Sequence, residues 1–143
     1  MSPKDFVFYT NKAKILKNFW NDNGFLILKN FCTNDECNQL IKRASELVEK
    51  FDIEEHKITF NTKDNSHSAE KYFLDSGDKI RFFFEDEAFN KKGQLRVKKE
   101  NSINKIGHAL HDLDDTFNNF SRNKKLYDLS NILGFQNSLL LQS

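Results

Sequence analysis

The spacing of apolar residues near the start of the chain predicts a helix followed by a strand. Over Asn11–Trp20, apolar residues recur at helical intervals, and the polar residues and glycine at 21–24 then interrupt the run. The next segment, Phe25–Leu28, is a continuous apolar run of strand length. We therefore expect a short amphipathic helix, a turn at Gly24 and a buried strand.

A second helix is predicted after Thr33. This residue type is a preferred N-cap, and Glu36 follows three positions later, as in a capping box. The apolar positions that follow lie on one face of a helix. They are Leu40, Ile41, Ala44, Leu47, Val48 and Phe51.

The middle of the chain alternates between polar stretches and one very apolar run. Asp52–Glu70 is polar and predicts a surface loop, with a short strand at Ile58–Phe60. A turn at Asp75–Asp78 precedes Lys79–Glu85, whose three consecutive phenylalanines predict a strand covered on both faces. Asn90–Gly93 predicts another turn.

The last third of the chain predicts three helical pieces and a final strand. The second piece lies around Phe117–Phe120, and the third runs from Lys124 to Leu133 and ends at Gly134. The strand is Ser138–Leu141. The first helical face consists of Ile103, Ile106, Gly107 and Leu110. Helices mixed with strands in this way predict an α+β fold.

Length and charge restrict the class of protein. A chain of 143 residues suffices for one domain with its own core, so residues 1–143 are interpreted as parts of a single domain. With 22 basic and 21 acidic residues, nothing in the overall charge indicates nucleic-acid or membrane-surface binding. No apolar stretch reaches membrane-span length, and the start lacks a signal-peptide pattern. We expect a cytoplasmic protein in which Cys32 and Cys37 are reduced thiols.

Two segments resemble one enzyme family closely. These are YFLDSGDKIRFFFE (Tyr72–Glu85) and SINKIGHALH (Ser102–His111), with weaker similarity at Asn21–Cys37 and at the terminal LQS. They are similar to the phytanoyl-CoA dioxygenase family, in particular to its domain-containing proteins. The resemblance implies an Fe(II)- and 2-oxoglutarate-dependent dioxygenase acting on a small molecule of unknown identity. It also implies a double-stranded β-helix of jelly-roll type with N-terminal helices packed on it.

The iron ligands of such an enzyme are not evident in this sequence. Non-haem iron oxygenases bind the metal through two His and one carboxylate, and two of these ligands usually appear as His-x-Asp or His-x-Glu. The positions two residues after the four His hold Ile58, Ala69, Leu110 and Leu113. We therefore expect the N-terminal part of the enzyme, with no iron ligand and no activity alone, and we expect Fe(II) and 2-oxoglutarate to be bound by the full-length enzyme but not by this chain. One alternative is a non-catalytic short isoform that binds a partner, and a weaker one is a chain that binds a ligand by itself through Lys105.

Lys105 is the residue that the resemblance assigns to 2-oxoglutarate binding. A carboxylate in a partly dehydrated site needs a compensating charge, which an ammonium supplies. The pattern alone favours a solvated lysine on the predicted helix, and the resemblance reverses this interpretation for the full-length enzyme but not for this shorter chain. His108 and His111, three residues apart, would share a face of that helix and suggest a metal site, but no third ligand accompanies them, so surface or core histidines are the alternative.

A basic run lies between the two matching segments. It could contact the phosphates of a coenzyme A thioester, or it could be a solvated hairpin whose charges are balanced by neighbouring acids. The run consists of Lys91, Lys92, Arg96, Lys98 and Lys99. Without further strands, we expect the apolar residues of Ile80–Phe84 and Leu139–Leu141 to be exposed and to lower solubility.

Overall fold

The computed structural model describes residues 3–56 and 67–143, with side chains described at 13–55 and 71–143. Its α-helices are α1 (Pro3–Asn23), α2 (Asn34–Lys50), α3 (His67–Leu74), α4 (Leu110–Leu113), α5 (Asp115–Ser121) and α6 (Lys124–Leu133). The strands are β1 (Ile80–Phe84) and β2 (Ile103–His108), and two short 3-10 helices span Glu54–His56 and Lys99–Asn101. Within the described ranges, no helix combines the length and apolarity that crossing a membrane requires.

The chain divides into two compact units. The first contains α1 and α6, which contact each other. Trp20 of α1 meets Phe135 edge to face, with ring centroids 6.0 Å apart. The prediction of α6 is confirmed in detail, because Asn123 caps its start by accepting from Leu126 N at 2.9 Å and Gly134 ends it at a φ of 96°. The predicted first helix is also confirmed and extends further in both directions.

Two predicted strands are wrong. Phe25–Leu28 and Ser138–Leu141 form no strand, and Ile27 and Leu139 are 78% and 83% exposed. An apolar run becomes a strand only where a neighbouring strand accepts its backbone hydrogen bonds. In the described part of the chain, the sheet contains β1 and β2 alone.

The second unit contains α2 to α5, both strands and the final residues Leu140–Ser143. Helix α2 begins one residue after Thr33, as predicted. Its buried side is narrower than the predicted stripe, because Val48 and the following Phe51 are buried whereas Ile41 is 64% exposed. Only the last turns of α2 therefore contribute to the core.

Strands β1 and β2 pair in antiparallel fashion, with Phe82 opposite Ile106 and Phe83 opposite Lys105. The predicted helical face over residues 103–110 is therefore wrong, since residues 103–108 are β2 and only Leu110–Leu113 are helical. The isoleucine spacing fitted a helix, but β-branched residues also suit strands, and pairing with β1 decides between the two. The prediction for Lys79–Glu85 is confirmed.

The three phenylalanines of β1 are buried on opposite sides of the strand. Phe82 and Phe84 pack with the end of α2, and the rings of Phe51 and Phe82 stack at 4.0 Å. Phe83 is 1% exposed and meets the rings of Tyr72 and Phe73 from α3. The expected exposure of this strand is therefore wrong, and its predicted coverage on both faces is confirmed.

The polar stretch between α2 and β1 is more regular than predicted. It contains the 3-10 helix at Glu54–His56 and α3, whereas the predicted strand Ile58–Phe60 lies outside the described residues. The turns at Asp75–Asp78 and Asn90–Gly93 are confirmed. In the second of these, Gly93 has a φ of 73°, and its N–H donates to Asn90 O at 2.9 Å.

Asp114 joins α2 to the start of α5. Its Oδ2 accepts from Arg43 Nε at 2.6 Å, and its Oδ1 accepts from the backbone N–H groups of Thr116 and Phe117 at 3.1 and 3.2 Å. The carboxylate is 2% exposed, and water therefore has little access to it. Each of its oxygens instead accepts from a donor of the protein. This one side chain therefore caps α5 and anchors α2.

We expect Phe84→Ala to lower the free energy of unfolding by about 3–5 kcal/mol, because the ring is fully buried and leaves a cavity. Ile41→Ala on α2 is the control and should change stability by less than about 0.5 kcal/mol, because this side chain is mostly exposed. Urea unfolding followed by circular dichroism measures both. Similar losses for the two variants would contradict the position assigned to the core.

We expect Asp114→Ala to cost about 2–4 kcal/mol, since it removes a helix cap and the buried partner of Arg43. Asp115→Ala, at the exposed neighbouring position, should cost less than about 1 kcal/mol. Thermal unfolding of the two variants provides the comparison. Equal costs would show that the Asp114 contacts do not contribute to stability.

Candidate functional site

Lys105 lies on β2, directly opposite Phe83 and therefore on the same face of the sheet. Its Nζ is 5.4 Å from the centroid of the Phe73 ring, within the range of a cation–π contact. A Cβ at Gly107 would lie 3.3 Å from Lys105 Cε, so the glycine leaves space for the lysine side chain. The half-buried ammonium thus lies against an aromatic surface rather than on a solvated helix.

A second cation on β1, Arg81, belongs to the same aromatic surface. Its guanidinium donates to the carbonyl of Tyr72 and lies 4.3 Å from the centroid of the Tyr72 ring. Tyr72 in turn donates its hydroxyl to Phe82 O at 3.2 Å, and burial raises the pKa of this phenol. Arg81 therefore holds α3 against the sheet, and Tyr72 stays neutral.

His108, at the end of β2, is 3% exposed. Its ring centroid is 5.1 Å from that of Phe73 and 5.6 Å from that of Phe83, and its Nδ1 is 2.7 Å from Ser76 Oγ. The Ser76 hydroxyl donates its hydrogen to Phe73 O, so it accepts from a protonated Nδ1. Nε2 is therefore an unprotonated acceptor, and this buried atom has no hydrogen-bond partner.

The surroundings of His108 disfavour its charged form. Burial lowers the pKa of the imidazole, the positive charge of Lys105 lowers it further, and the Ser76 hydrogen bond opposes both effects. The ring is consequently neutral at pH 7. We use the name Lys105–His108 cluster for Lys105, His108, Ser76 and the rings of Phe73 and Phe83.

His111 does not share a helix face with His108, so that prediction is wrong. It lies in α4, is 2% exposed, and is held by Ser143. Ser143 Oγ accepts from His111 N at 2.9 Å and lies 2.8 Å from His111 Nδ1. The two histidines are thus separate core residues, each bonded to a serine 32 residues away in the chain.

Two residues of the basic run, Arg96 and Lys99, form contacts of different kinds. Arg96 pairs with Glu87 at 3.1 Å, as expected for a solvated hairpin. Lys99 instead donates to the carbonyl groups of Glu49 and Phe51 at the end of α2, and its Nζ is 4.1 Å from the centroid of the Phe51 ring. Lys99 therefore caps the C-terminal end of α2 and packs on a core ring.

The described residues do not fit an iron centre. Among the side chains described, at residues 13–55 and 71–143, no three from His, Cys, Asp or Glu are arranged to hold a metal ion. The cluster does fit a carboxylate, because Lys105 offers a charged donor beside apolar rings. Sequence reasoning identified Lys105 but missed Ser76, whose only local signal is its place in the turn before β1.

Comparisons with known proteins identify the same similarity. The family model described as phytanoyl-CoA dioxygenase matches residues 20–138. A phytanoyl-CoA dioxygenase of Arabidopsis thaliana is 40% identical over 87% of this chain and 44% of its own length. Phytanoyl-CoA dioxygenase domain-containing protein 1 is 42% identical in Bos taurus and 43% in Mus musculus, over 87% and 90% of this chain. The chain spans 44% and 45% of those two relatives.

We expect His108 to make stability depend on pH. Because its folded pKa lies below the unfolded value of 6.5, the unfolded chain binds more protons between these two values. The free energy of unfolding should therefore fall as the pH drops from about 6.5 to the folded pKa, by at most about 1.4 kcal/mol per pH unit. His108→Asn keeps a donor for Ser76 but does not titrate. Urea midpoints from pH 8 to 5 should show a weaker pH dependence in the variant, and identical profiles would contradict this assignment.

Proposed function

Because this chain belongs to the phytanoyl-CoA dioxygenase family, we propose that residues 1–143 form the N-terminal part of an Fe(II)- and 2-oxoglutarate-dependent dioxygenase domain. The enzyme would hydroxylate a small organic substrate in the cytoplasm. The chain spans about 45% of the length of its relatives, so the activity of the whole protein is part of this proposal.

The position of Lys105 is the observation that carries the proposal. Its ammonium lies at the edge of a packed aromatic surface, where water competes weakly for a bound carboxylate. Strand pairing fixes the backbone of this residue opposite the buried Phe83. Lys105 would therefore bind one carboxylate of 2-oxoglutarate through a charge-assisted hydrogen bond.

Iron and 2-oxoglutarate would together supply the oxidising chemistry, and the iron ligands would come from residues outside this chain. This division agrees with the absence of His-x-Asp and His-x-Glu from the sequence. The role of the chain is to bind and orient the cosubstrate. Strands β1 and β2 would be the first strands of a jelly-roll sheet, which further strands would extend.

A partner-binding short isoform is the second candidate. The exposed side chains of Leu140 and Leu141 favour it, because two consecutive apolar residues at 44% and 77% exposure offer a surface to another protein. The reading frame of the transcript discriminates between the candidates. Continuation from Ser143 into a His-x-Asp or His-x-Glu segment favours the dioxygenase, and a stop codon favours the isoform.

We expect the 143-residue chain to form no succinate from 2-oxoglutarate and Fe(II), and the product of a longer reading frame to form it. In that product, Lys105→Ala should weaken 2-oxoglutarate binding about 10- to 100-fold, the value of one charge-assisted hydrogen bond. Lys98→Ala, at an exposed position, is the control and should change binding less than about twofold.

Two results would contradict this proposal. Succinate formation by the 143-residue chain would show that it holds iron ligands of its own. Unchanged 2-oxoglutarate affinity in Lys105→Ala would remove the role assigned to that lysine.

A further inference from the structure

Nε2 of His108 is the polar atom in the Lys105–His108 cluster that lacks a partner. It is buried. The hydrogen bond between Ser76 and Nδ1 fixes the orientation of the ring, so a ring flip does not place Nε2 at Ser76 instead. Buried polar groups are almost always hydrogen-bonded, so an orphan beside a candidate binding residue points to a ligand. Lys105 and His108 both contact the Phe73 ring, which places them on one side of the sheet.

We propose that His108 is the second contact of a dicarboxylate bound at Lys105, and that Nε2 takes up a proton from solvent when the dicarboxylate binds. This inference rests on the proposed function, which supplies 2-oxoglutarate as the dicarboxylate. It adds a binding residue and a pH dependence to that function.

The chemistry of the two partners requires the proton. A carboxylate oxygen only accepts hydrogen bonds, so a neutral Nε2 would repel it, whereas a protonated Nε2 donates to it. Nδ1 keeps its hydrogen and its bond to Ser76 in both states. One proton is taken from solvent, no covalent bond of the ligand is broken, and the imidazole becomes an imidazolium.

Charge balance favours the same change. Lys105 is the charged group whose field acts on His108 in the free chain, and a carboxylate beside it compensates that field. A bound carboxylate therefore makes protonation of His108 more favourable. Among the described side chains, the other ionisable ones on the elements that pack around His108 are Lys71, Tyr72, Asp75, Asp78, Lys79, Arg81, His111 and Asp112.

Calorimetry with 2-oxoglutarate tests the inference on the product of the longer reading frame, which is also the protein in which Lys105→Ala is measured. Titrations at pH 7 in two buffers of different ionisation enthalpy give the number of protons taken up for each ligand bound. We expect a value between zero and one, and an affinity that rises by up to tenfold per pH unit as the pH falls between the His108 pKa of the complex and that of the free chain.

Three variants identify the residue that takes up the proton. His108→Gln places a side-chain amide N–H near the position of Nε2. Because an amide donates a hydrogen bond without taking up a proton, this variant should bind 2-oxoglutarate and show no proton uptake from this position. His108→Asn retains only the donor to Ser76, so it should bind more weakly than His108→Gln. His111→Gln is the matched control, because Ser143 holds that ring, and it should leave the uptake unchanged. Nuclear magnetic resonance titration of the His108 ring, with and without ligand, gives the same answer in the unmodified chain.

The possible outcomes separate the inference from the function on which it rests. Binding without proton uptake, or uptake that persists in His108→Gln, overturns the role of His108 and leaves Lys105 as the cosubstrate residue. The absence of 2-oxoglutarate binding by the folded product of the longer reading frame overturns both. Proton uptake that is lost in His108→Gln and kept in His111→Gln supports the inference.

Discussion

The burial of three consecutive phenylalanines is the constraint on which the second unit depends. A strand alternates its side chains, so Phe82 and Phe84 require cover on one face while Phe83 requires it on the other. The end of α2 provides the first cover and α3 the second. Pairing with β2 provides hydrogen-bond partners for the backbone of β1. The positions of α2 and α3 follow from these requirements.

The same arrangement creates the candidate site. Covering Phe83 brings Tyr72 and Phe73 over the strand, and the register of the sheet brings Lys105 to the same face. The aromatic rings beside Lys105 are therefore in place because they cover the core. Packing of this kind favours anion binding in general, because a cationic side chain that is already ordered loses less conformational entropy when the anion binds.

How far the sequence predicts this structure depends on how local each determinant is. Helix α6 and the strand at Ile80–Phe84 were predictable, because caps and aromatic density lie within each segment. Strand β2 was not, because the spacing of its isoleucines also fits a helix and only pairing with β1 decides. The apolar run Phe25–Leu28 failed for the converse reason, since its strand character depends on a partner that the described residues do not provide. Lys105 was identified through family resemblance, whereas the bond between Ser76 and His108 spans 32 residues and leaves no local pattern.

The two serines bond to His108 and His111 in different ways. The Ser76 hydroxyl donates to Phe73 O, so its oxygen accepts from Nδ1 of His108, and this ring carries its hydrogen on Nδ1. The Ser143 hydroxyl instead accepts from the backbone N–H of His111 and lies 2.8 Å from Nδ1 of that ring. An electrophile that reached the ring of His108 would therefore attack Nε2, where the lone pair lies. A hydroxyl group 32 residues away in the chain thus determines which nitrogen of His108 can react.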